Sequence, residues 1–567
     1  LVAQFGLRDI ARFRPSDAFL MIERGIEPKG ETPERLLALA ELADCASGKF
    51  TGEKAISWSR DAAVYAVFCL EFARADDSGA IVRAARDVHN RAVRRCFHLL
   101  KTSESGWATR FALAGMNLVS DVPAWSRLGF ETLEPAKAYS CEARALGRRD
   151  GLGVPLIAHR TLADTELDSW KHYGPREVAF AATAVIRPRG SLATWRDNGG
   201  EVLLCNPLRN ESISIGQKWV VLAFDLNSPL EHRFRQPLVR GYEALGIFDQ
   251  KSYFDNAGVF AVDPYVAGKV PVVLVHGLWS GPRVWMPMLI ALRDDPILRA
   301  RCQFWVVLYP SGYLVPVAAR VLKHSLREIR QAFDPRGADP ALDQVVVLGK
   351  STGGQVVRIL AEQSGDSIWN SVFTRPLSQI VVNEPAWNEL ASTFYFEPEP
   401  YIRRVIFVAT AHRGGNLARQ PGIQLGLRLI RRNNPLGGLW EQLAESNSEF
   451  VFQTEYRNRI PSSLDGLQAE NPLLTALDSR PISPAIPYHS IIANIRRSTS
   501  PDKMTDGFVK YASAHLDGAQ SERIVSSTHL CEANPDVISE VRRILHTHLE
   551  ETTPESLTPH QTVTVAP

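Results

Sequence analysis

The run Gly349-Lys350-Ser351-Thr352-Gly353-Gly354 is the part of this sequence best equipped for chemistry. It spells G-x-S-x-G, preceded by the apolar Val345-Val346-Val347-Leu348 and followed by the helix-patterned Gln355-Val356-Val357-Arg358-Ile359-Leu360. A serine at the tip of so tight a strand-to-helix turn, a nucleophile elbow, is held in a strained backbone conformation. Side chains two positions away on either side would collide with strand or helix, and glycine at 349 and 353 relieves that crowding. The turn lifts the Ser351 hydroxyl clear of the sheet. It also sets the Thr352 N–H at a helix start, where it can donate to a developing oxyanion. A phosphate-cradling reading, G-x-x-x-x-G-K-[ST], fails at its first position, which is Gln344, and the residues between are strand rather than a glycine-rich loop.

A second signal is Val273-Leu274-Val275-His276-Gly277-Leu278, which ends the first strong strand and leads into Trp279-Ser280-Gly281-Pro282. A third is Phe407-Val408-Ala409-Thr410-Ala411-His412-Arg413-Gly414. A fourth is Thr505-Asp506-Gly507, followed later by Ser527-Thr528-His529. Together with the serine turn, these runs resemble the α/β-hydrolase superfamily, especially its lipase and esterase branch. The resemblance covers Val270 to Leu549, roughly half the chain. Large bacterial hydrolases with an N-terminal extension are also similar in the Asp263-Pro264-Tyr265 lead-in.

The resemblance implies a Ser351, Asp506, His529 catalytic triad, in the chain order Ser, Asp, His that this fold uses. It implies an oxyanion hole made by the Leu278 and Thr352 N–H groups, with His276 as a structural residue bridging loop backbones rather than a proton carrier. His515, His546 and His548 are the competing histidines, placed upstream of the last strand or inside the last helix. Asp502 and Asp517 are competing neighbours of Asp506, and Glu384 in Asn383-Glu384-Pro385 is a further candidate acid. Two positions depart from the pattern. Lys350 stands where such lipases usually have His, and Ala411 where the similar run generally has Pro. Lys350 is expected to point into solvent beside the elbow, with assistance to an anionic substrate as the alternative.

Buried-strand runs must position these groups. From Val270 onward such runs alternate with helical patterns, the mark of a mostly parallel sheet covered by helices on both faces. The expected strands are Val270 to Val275, Gln303 to Leu308, Gln344 to Leu348, Arg404 to Ala409, Tyr488 to Asn494 and Glu522 to Ser526. Helices are expected over Gln355 to Gln363 and Pro535 to Leu549. The fold class is therefore α/β, an α/β-hydrolase domain over residues 265–550, preceded by a helical region (1–105) and a β-rich accessory region (106–264). The helical region shows three- and four-residue apolar spacing over Pro33 to Ser47, Glu53 to Ala73 and Ser78 to Thr102. The β-rich region has short runs at Val178 to Ile186, Glu201 to Cys205 and Trp219 to Phe224, and its His159, His172 and Asp225 are read as solvated or locally hydrogen-bonded. The Thr- and Pro-rich tail, 551–567, is expected to be disordered.

About 75 residues separate Thr410 from the next strand, far more than an ordinary connection. This insertion, about 411–487, is expected to form a lid. It holds Ile423 to Arg432, mixing Leu, Ile and Arg, and the more polar Leu439 to Phe452. An amphipathic helix over such a site suits an acyl chain or a lipid interface. Trp279, Trp285, Tyr313 and Leu314 are candidates to line an apolar acyl pocket, with core packing their commoner fate.

Composition excludes several classes. The 567 residues are 45% hydrophobic and 22% charged, close to an ordinary globular protein. With 64 Lys plus Arg against 62 Asp plus Glu, the net charge of +2 provides no field to collect nucleic acid. Seven scattered cysteines show neither C-x-x-C spacing nor a disulfide framework, and no metal or cofactor is indicated. No apolar run reaches the ~18 residues of a membrane span. The chain starts at Leu1 rather than Met, so an upstream signal or lipid anchor is compatible with it, and location stays open between cytoplasm and export.

Three functions remain: an esterase or lipase acting on a small-molecule or lipid ester, an acyltransferase with the same triad, and an interaction scaffold. Peripheral contact with a membrane or lipid interface, and a protein partner for the helical N-terminus, accompany these readings.

Overall fold

The computed structural model describes residues 6–25, 31–74, 79–101, 106–122, 125, 129–136, 146–163, 170–244, 256–415 and 437–552, apart from positions 448, 458, 464, 470 and 497. The chain divides into two compact units, Leu1–Thr165 with Arg176–Arg233, and Glu166–Pro175 with Phe234–Pro567.

In the first unit, helices α1 (Pro33–Ser47), α2 (Gly52–Phe72) and α3 (Gly79–Leu100) fall where the apolar spacing puts them. Thr32 caps α1 by accepting from the Arg35 N–H, and Pro33 sits at its first position, where a missing N–H costs nothing. Five strands, β1 (Met116–Ser120), β2 (Thr132–Pro135), β3 (Val154–Thr161), β4 (Glu177–Pro188) and β5 (Gly200–Cys205), form a sheet in the order β1-β5-β4-β3-β2. The third expected β run is broken into Lys218–Val221 and Phe224–Asp225, with Leu222 and Ala223 between.

The helical and β-rich regions, given separate bounds from the sequence, fall in one compact unit that extends to Arg233 without Glu166–Pro175. The reason lies in α3, whose strongly one-sided apolar stripe (Ala85, Val88, Ala92, Val93, Cys96) is buried. From the same helix His89 Nε2 lies 3.0 Å from the Ile186 carbonyl, and the Asn90 amide donates to the Gly151 carbonyl at 2.9 Å. The helix packs on its helical neighbours and also meets the sheet, so the two regions are joined in one unit.

The second unit is built on a seven-stranded sheet of β6 (Gly258–Ala261), β7 (Val270–Val275), β8 (Cys302–Leu308), β9 (Val345–Lys350), β10 (Ile402–Val408), β11 (Tyr488–Ala493) and β12 (Ser521–Val525), in the order β6-β8-β7-β9-β10-β11-β12. All neighbouring pairs are parallel except β6 with β8. The six expected strands form. Strand β6, assigned by the sequence to the accessory region, pairs antiparallel with β8, so this unit begins well before residue 265. Four residues, Gly-Val-Phe-Ala, are too short to show a period. The central strands β7, β8 and β9 are buried along their whole length, which accounts for their largely apolar sequences.

Helix α4 (Val315–Phe333) is amphipathic and packs its Leu322, Leu326 and Ile329 into the core. The last helix, α5 (Pro535–Thr552), runs slightly past the expected end and buries Val537, Val541, Ile544 and Leu545. Most of the expected tail lies outside the described residues. So does the Ile423 to Arg432 segment of the insertion. The described part of the insertion includes a helix at Gly437–Ser446, whose Leu439, Trp440 and Leu443 join the core. Trp440 stacks on Phe452 with ring centroids 4.5 Å apart. Leu439 to Phe452 is thus a packing element. Among the described residues no helix is long and apolar enough to cross a membrane. The six described cysteines are free thiols, and Cys141 lies outside the described residues.

Candidate active site

Strand β9 ends at Lys350, and α6 (Thr352–Ile359) begins two residues later. Ser351 alone makes the turn, at φ +55° and ψ −125°. A positive φ is strained for any residue with a Cβ and persists where its surroundings hold it in place. Here the Ser351 N–H donates to the Val408 carbonyl at 3.0 Å, at the end of the neighbouring strand, while the Ser351 carbonyl accepts from Gly354 at 3.0 Å. The glycines are needed sterically. A Cβ on Gly349 would come within 2.6 Å of the Gly353 carbonyl oxygen, and one on Gly353 within 2.4 Å of the His276 carbonyl oxygen and 2.5 Å of that of Val275. Those neighbours are backbone and cannot swing aside. Gly353→Ala is therefore expected to destabilise the fold by about 1–3 kcal/mol or more through overpacking. A urea midpoint indistinguishable from wild type would refute this account of the elbow.

His529 follows β12, in the loop before α5. Its Nε2 lies 2.9 Å from Ser351 Oγ and its Nδ1 2.7 Å from Asp506 Oδ2. Asp506 is buried, and its second oxygen accepts from the Phe508 and Val509 N–H groups at 2.8 and 2.7 Å. Gly507, at φ +101°, allows the chain to fold back over the carboxylate in this way. The His529 N–H also donates to the Asp506 carbonyl at 3.0 Å, which ties the two loops together. With Nδ1–H directed at a carboxylate, Nε2 is left with its lone pair toward the serine hydroxyl. The sequence brought these three residues together by resemblance, and they are hydrogen-bonded in one line.

The competing groups lie elsewhere. His515 contacts Glu522 and Asp517, His546 contacts Asp295, and His548 is buried beside Arg404 and the Gln344 carbonyl. Glu384 is exposed at the start of the helix Glu384–Phe394, and Asp502 and Asp517 are exposed.

Neither the Leu278 nor the Thr352 N–H donates to a protein acceptor among the described residues. Between them, Gly277 approaches the elbow so closely that a Cβ would stand 3.0 Å from the Lys350 carbonyl oxygen. His276 is fully buried and stacks on Tyr309 at 4.4 Å; its Nδ1 lies 3.0 Å from the Gly277 carbonyl, and its own carbonyl accepts from the Tyr309 hydroxyl at 2.6 Å.

Lys350 does not reach solvent. Its ammonium is buried and lies 2.6 Å from the Glu532 carboxylate, just beyond His529 in sequence. An ammonium at that position is desolvated by the turn around it, and a buried charge persists only when paired. Glu532 was invisible to sequence reasoning because its partner lies on another element. Gln355 was also missed. It is fully buried on α6 and donates to the Ala411 and Gly466 carbonyls at 2.6 and 3.0 Å, linking the elbow helix to the insertion.

The expected pocket residues separate. Trp279 is partly exposed, with φ +51°, and its N–H donates to Ser311 Oγ. Trp285, Tyr313 and Leu314 are buried, and the last two belong to the main core. Tyr313 and Leu314 enter α4 directly, so their side chains follow its apolar face inward.

Burial gives this unit an acid-sensitive element. It pushes the pKa of His276, His489 and His548 down to about 4, and the Arg404 guanidinium adds to the effect on the last two. The unfolded value is about 6.5. Between those limits the unfolded chain holds protons that the native state refuses. The stability contributed by the neutral rings is complete above about pH 6.5 and is lost as pH falls toward 4, by at most about 1.4 kcal/mol per pH unit for each histidine. The urea midpoint at pH 5 is expected well below that at pH 7.5, and equal midpoints would contradict it.

Parallel strands with one antiparallel edge, a crossover order that returns to the centre, and a strained serine after the middle strand fix the architecture. The fold is that of an α/β-hydrolase. No protein-family model matches the chain, and no curated protein matches it either. Among solved structures it is similar to the mature form of the Bacillus licheniformis lipase BlEst2, at 18% identity and a TM-score of 0.29, over 51% of this chain and 97% of that one. It is likewise similar to the metagenomic carboxyl esterase MGS0156, at 17% identity and 0.29, over 51% and 77%. Lipase 1 from Pelosinus fermentans is similar at 13% identity and 0.29, over 51% and 100%. Strand order and the serine turn carry the assignment of the hydrolase fold independently of these likenesses.

Proposed function

We propose that this chain is a serine hydrolase that cleaves carboxylic esters through an acyl-enzyme intermediate. The observation that carries the reading is the unbroken hydrogen-bonded line from Asp506 through His529 to a serine held at positive φ. In this reading His529 Nε2 takes the Ser351 proton as Oγ attacks the ester carbonyl, and Asp506 holds the ring orientation and stabilises the imidazolium that forms. The Leu278 and Thr352 N–H groups, which have no protein acceptor among the described residues, receive the oxyanion. His529 then gives its proton to the leaving alcohol. Water, deprotonated by the same nitrogen, attacks the acyl carbon and releases the acid.

The substrate is a small-molecule or lipid ester, and two partly exposed aromatic rings stand near the reacting groups, Trp279 beside the proposed oxyanion donors and Phe508 against the His529 ring. A fluorophosphonate probe should label the purified full chain at one serine, and p-nitrophenyl esters of graded chain length should release p-nitrophenol. With an alcohol present, recovery of free acid rather than a new ester distinguishes hydrolysis from acyl transfer. A folded protein that takes no label would refute the proposal.

A further inference from the structure

The first unit carries a cluster that the ester chemistry does not use. Strands β3 and β4 pair antiparallel with Thr161 opposite Glu177. His159, two residues from Thr161, therefore shares a face with Glu177. The helix Asn227–Phe234 brings His232 to the same place. His232 Nε2 lies 2.6 Å and His159 Nδ1 3.4 Å from one and the same oxygen, Glu177 Oε1. The two imidazole rings are 4.5 Å apart between centroids, and one donor atom from each of the three residues lies within 4.8 Å of the others.

Hydrogen bonding alone leaves this arrangement incomplete. Glu177 and His232 satisfy each other, but His159 Nδ1 is buried with no hydrogen-bond partner. A buried ring nitrogen without a partner costs free energy, and this one is aimed at a carboxylate and a second imidazole. The sequence reading of His159 as solvated or locally hydrogen-bonded does not describe it. Asp225, in contrast, accepts from the Asn227 and Ser228 N–H groups at 2.9 Å and pairs with Arg148, as expected of a local cap. His172, in the other unit, is buried near the Phe333 ring rather than solvated.

We propose that His159, Glu177 and His232 form a three-ligand site for a divalent transition-metal ion, Zn2+ above all. Two neutral imidazole nitrogens and one carboxylate oxygen are a known zinc donor set with a fourth position left for water. Metal–ligand bonds of about 2.0–2.2 Å put the donor atoms of a tetrahedron about 3.3–3.6 Å apart. The His159–Glu177 separation of 3.4 Å already meets that spacing, and the 2.6 Å contact must open by less than about 1 Å. All three side chains are roughly one-fifth exposed, which leaves room for the water ligand. The bound ion clips the helix to the two strands. The donors come from three elements far apart in sequence, so no ligand spacing announces them.

The test uses the full chain, freed of metal with a chelator and titrated with Zn2+ or Co2+. One equivalent of Zn2+ should bind and raise the melting temperature, and the Co2+ form should show the intense visible bands of a four-coordinate site. His159→Ala and His232→Ala should each weaken Zn2+ binding by at least about tenfold, since losing even an outer-shell partner costs that much. A measurement on the wild type does not depend on those variants folding: anomalous scattering at the zinc edge from Zn2+-soaked crystals should place one ion between the three side chains. Absence of stoichiometric uptake, an ion located elsewhere, or uptake unchanged in the double variant would overturn the proposal.

Discussion

Ser351→Ala is expected to reduce ester hydrolysis by about a million-fold while leaving the fold intact, the scale of loss when the nucleophile of a Ser-His-Asp site is removed. The size follows from the geometry. Among the described residues no other hydroxyl is bonded to His529, and Oγ at 2.9 Å from Nε2 is the atom whose proton the ring is placed to take. The fold should survive because the Ser351 backbone, not its side chain, makes the turn's hydrogen bonds to Val408 and Gly354. Alanine has to adopt the same positive φ, a strain serine already bears. The check is kcat/KM on a p-nitrophenyl ester beside a urea melt. Activity within tenfold of wild type would mean that the serine is not the nucleophile, whatever its position.

The second large effect is expected at the carboxylate. Asp506→Asn preserves shape, and the asparagine oxygen can still accept from the Phe508 and Val509 N–H groups. Its amide nitrogen would then face His529 Nδ1, where a carboxylate oxygen now accepts at 2.7 Å. Two donors cannot share that contact. The imidazole must place its proton on Nε2, which removes the lone pair that Ser351 needs. A loss in kcat of about ten-thousand-fold is expected, with KM little changed and slow fluorophosphonate labelling of the still-present serine. If kcat stayed near wild type, another acid would be orienting the ring; Glu384 and Asp502, the competing acids of the sequence, are both exposed.

Features set by a run of neighbouring residues are the ones that the sequence makes legible. Strands β7, β8 and β9 were legible because burial on both faces demands mostly apolar sequence, with Gln303 and Lys350 as the polar exceptions. The elbow was legible because three backbone collisions admit nothing but glycine. Expectations that depended on what lies across space fared less well. Lys350 was expected in solvent and is buried against Glu532. Tyr313 and Leu314 were candidates for a pocket wall and lie in the core. The helical and β-rich regions share one unit because an amphipathic stripe states that a helix is covered without stating by what.

The sequence by itself determined the strand succession, the strained turn and the order Ser, Asp, His. Each is a local property, set by backbone sterics and by the period at which apolar residues recur. Only the tertiary structure decided that His529 faces Ser351 across 178 positions of chain, that Glu532 neutralises Lys350, and that two histidines and a glutamate from three elements meet at one point. Electrostatic and hydrogen-bonding partners are selected by distance in space, and residues so far apart along the chain leave no trace of that distance in their spacing.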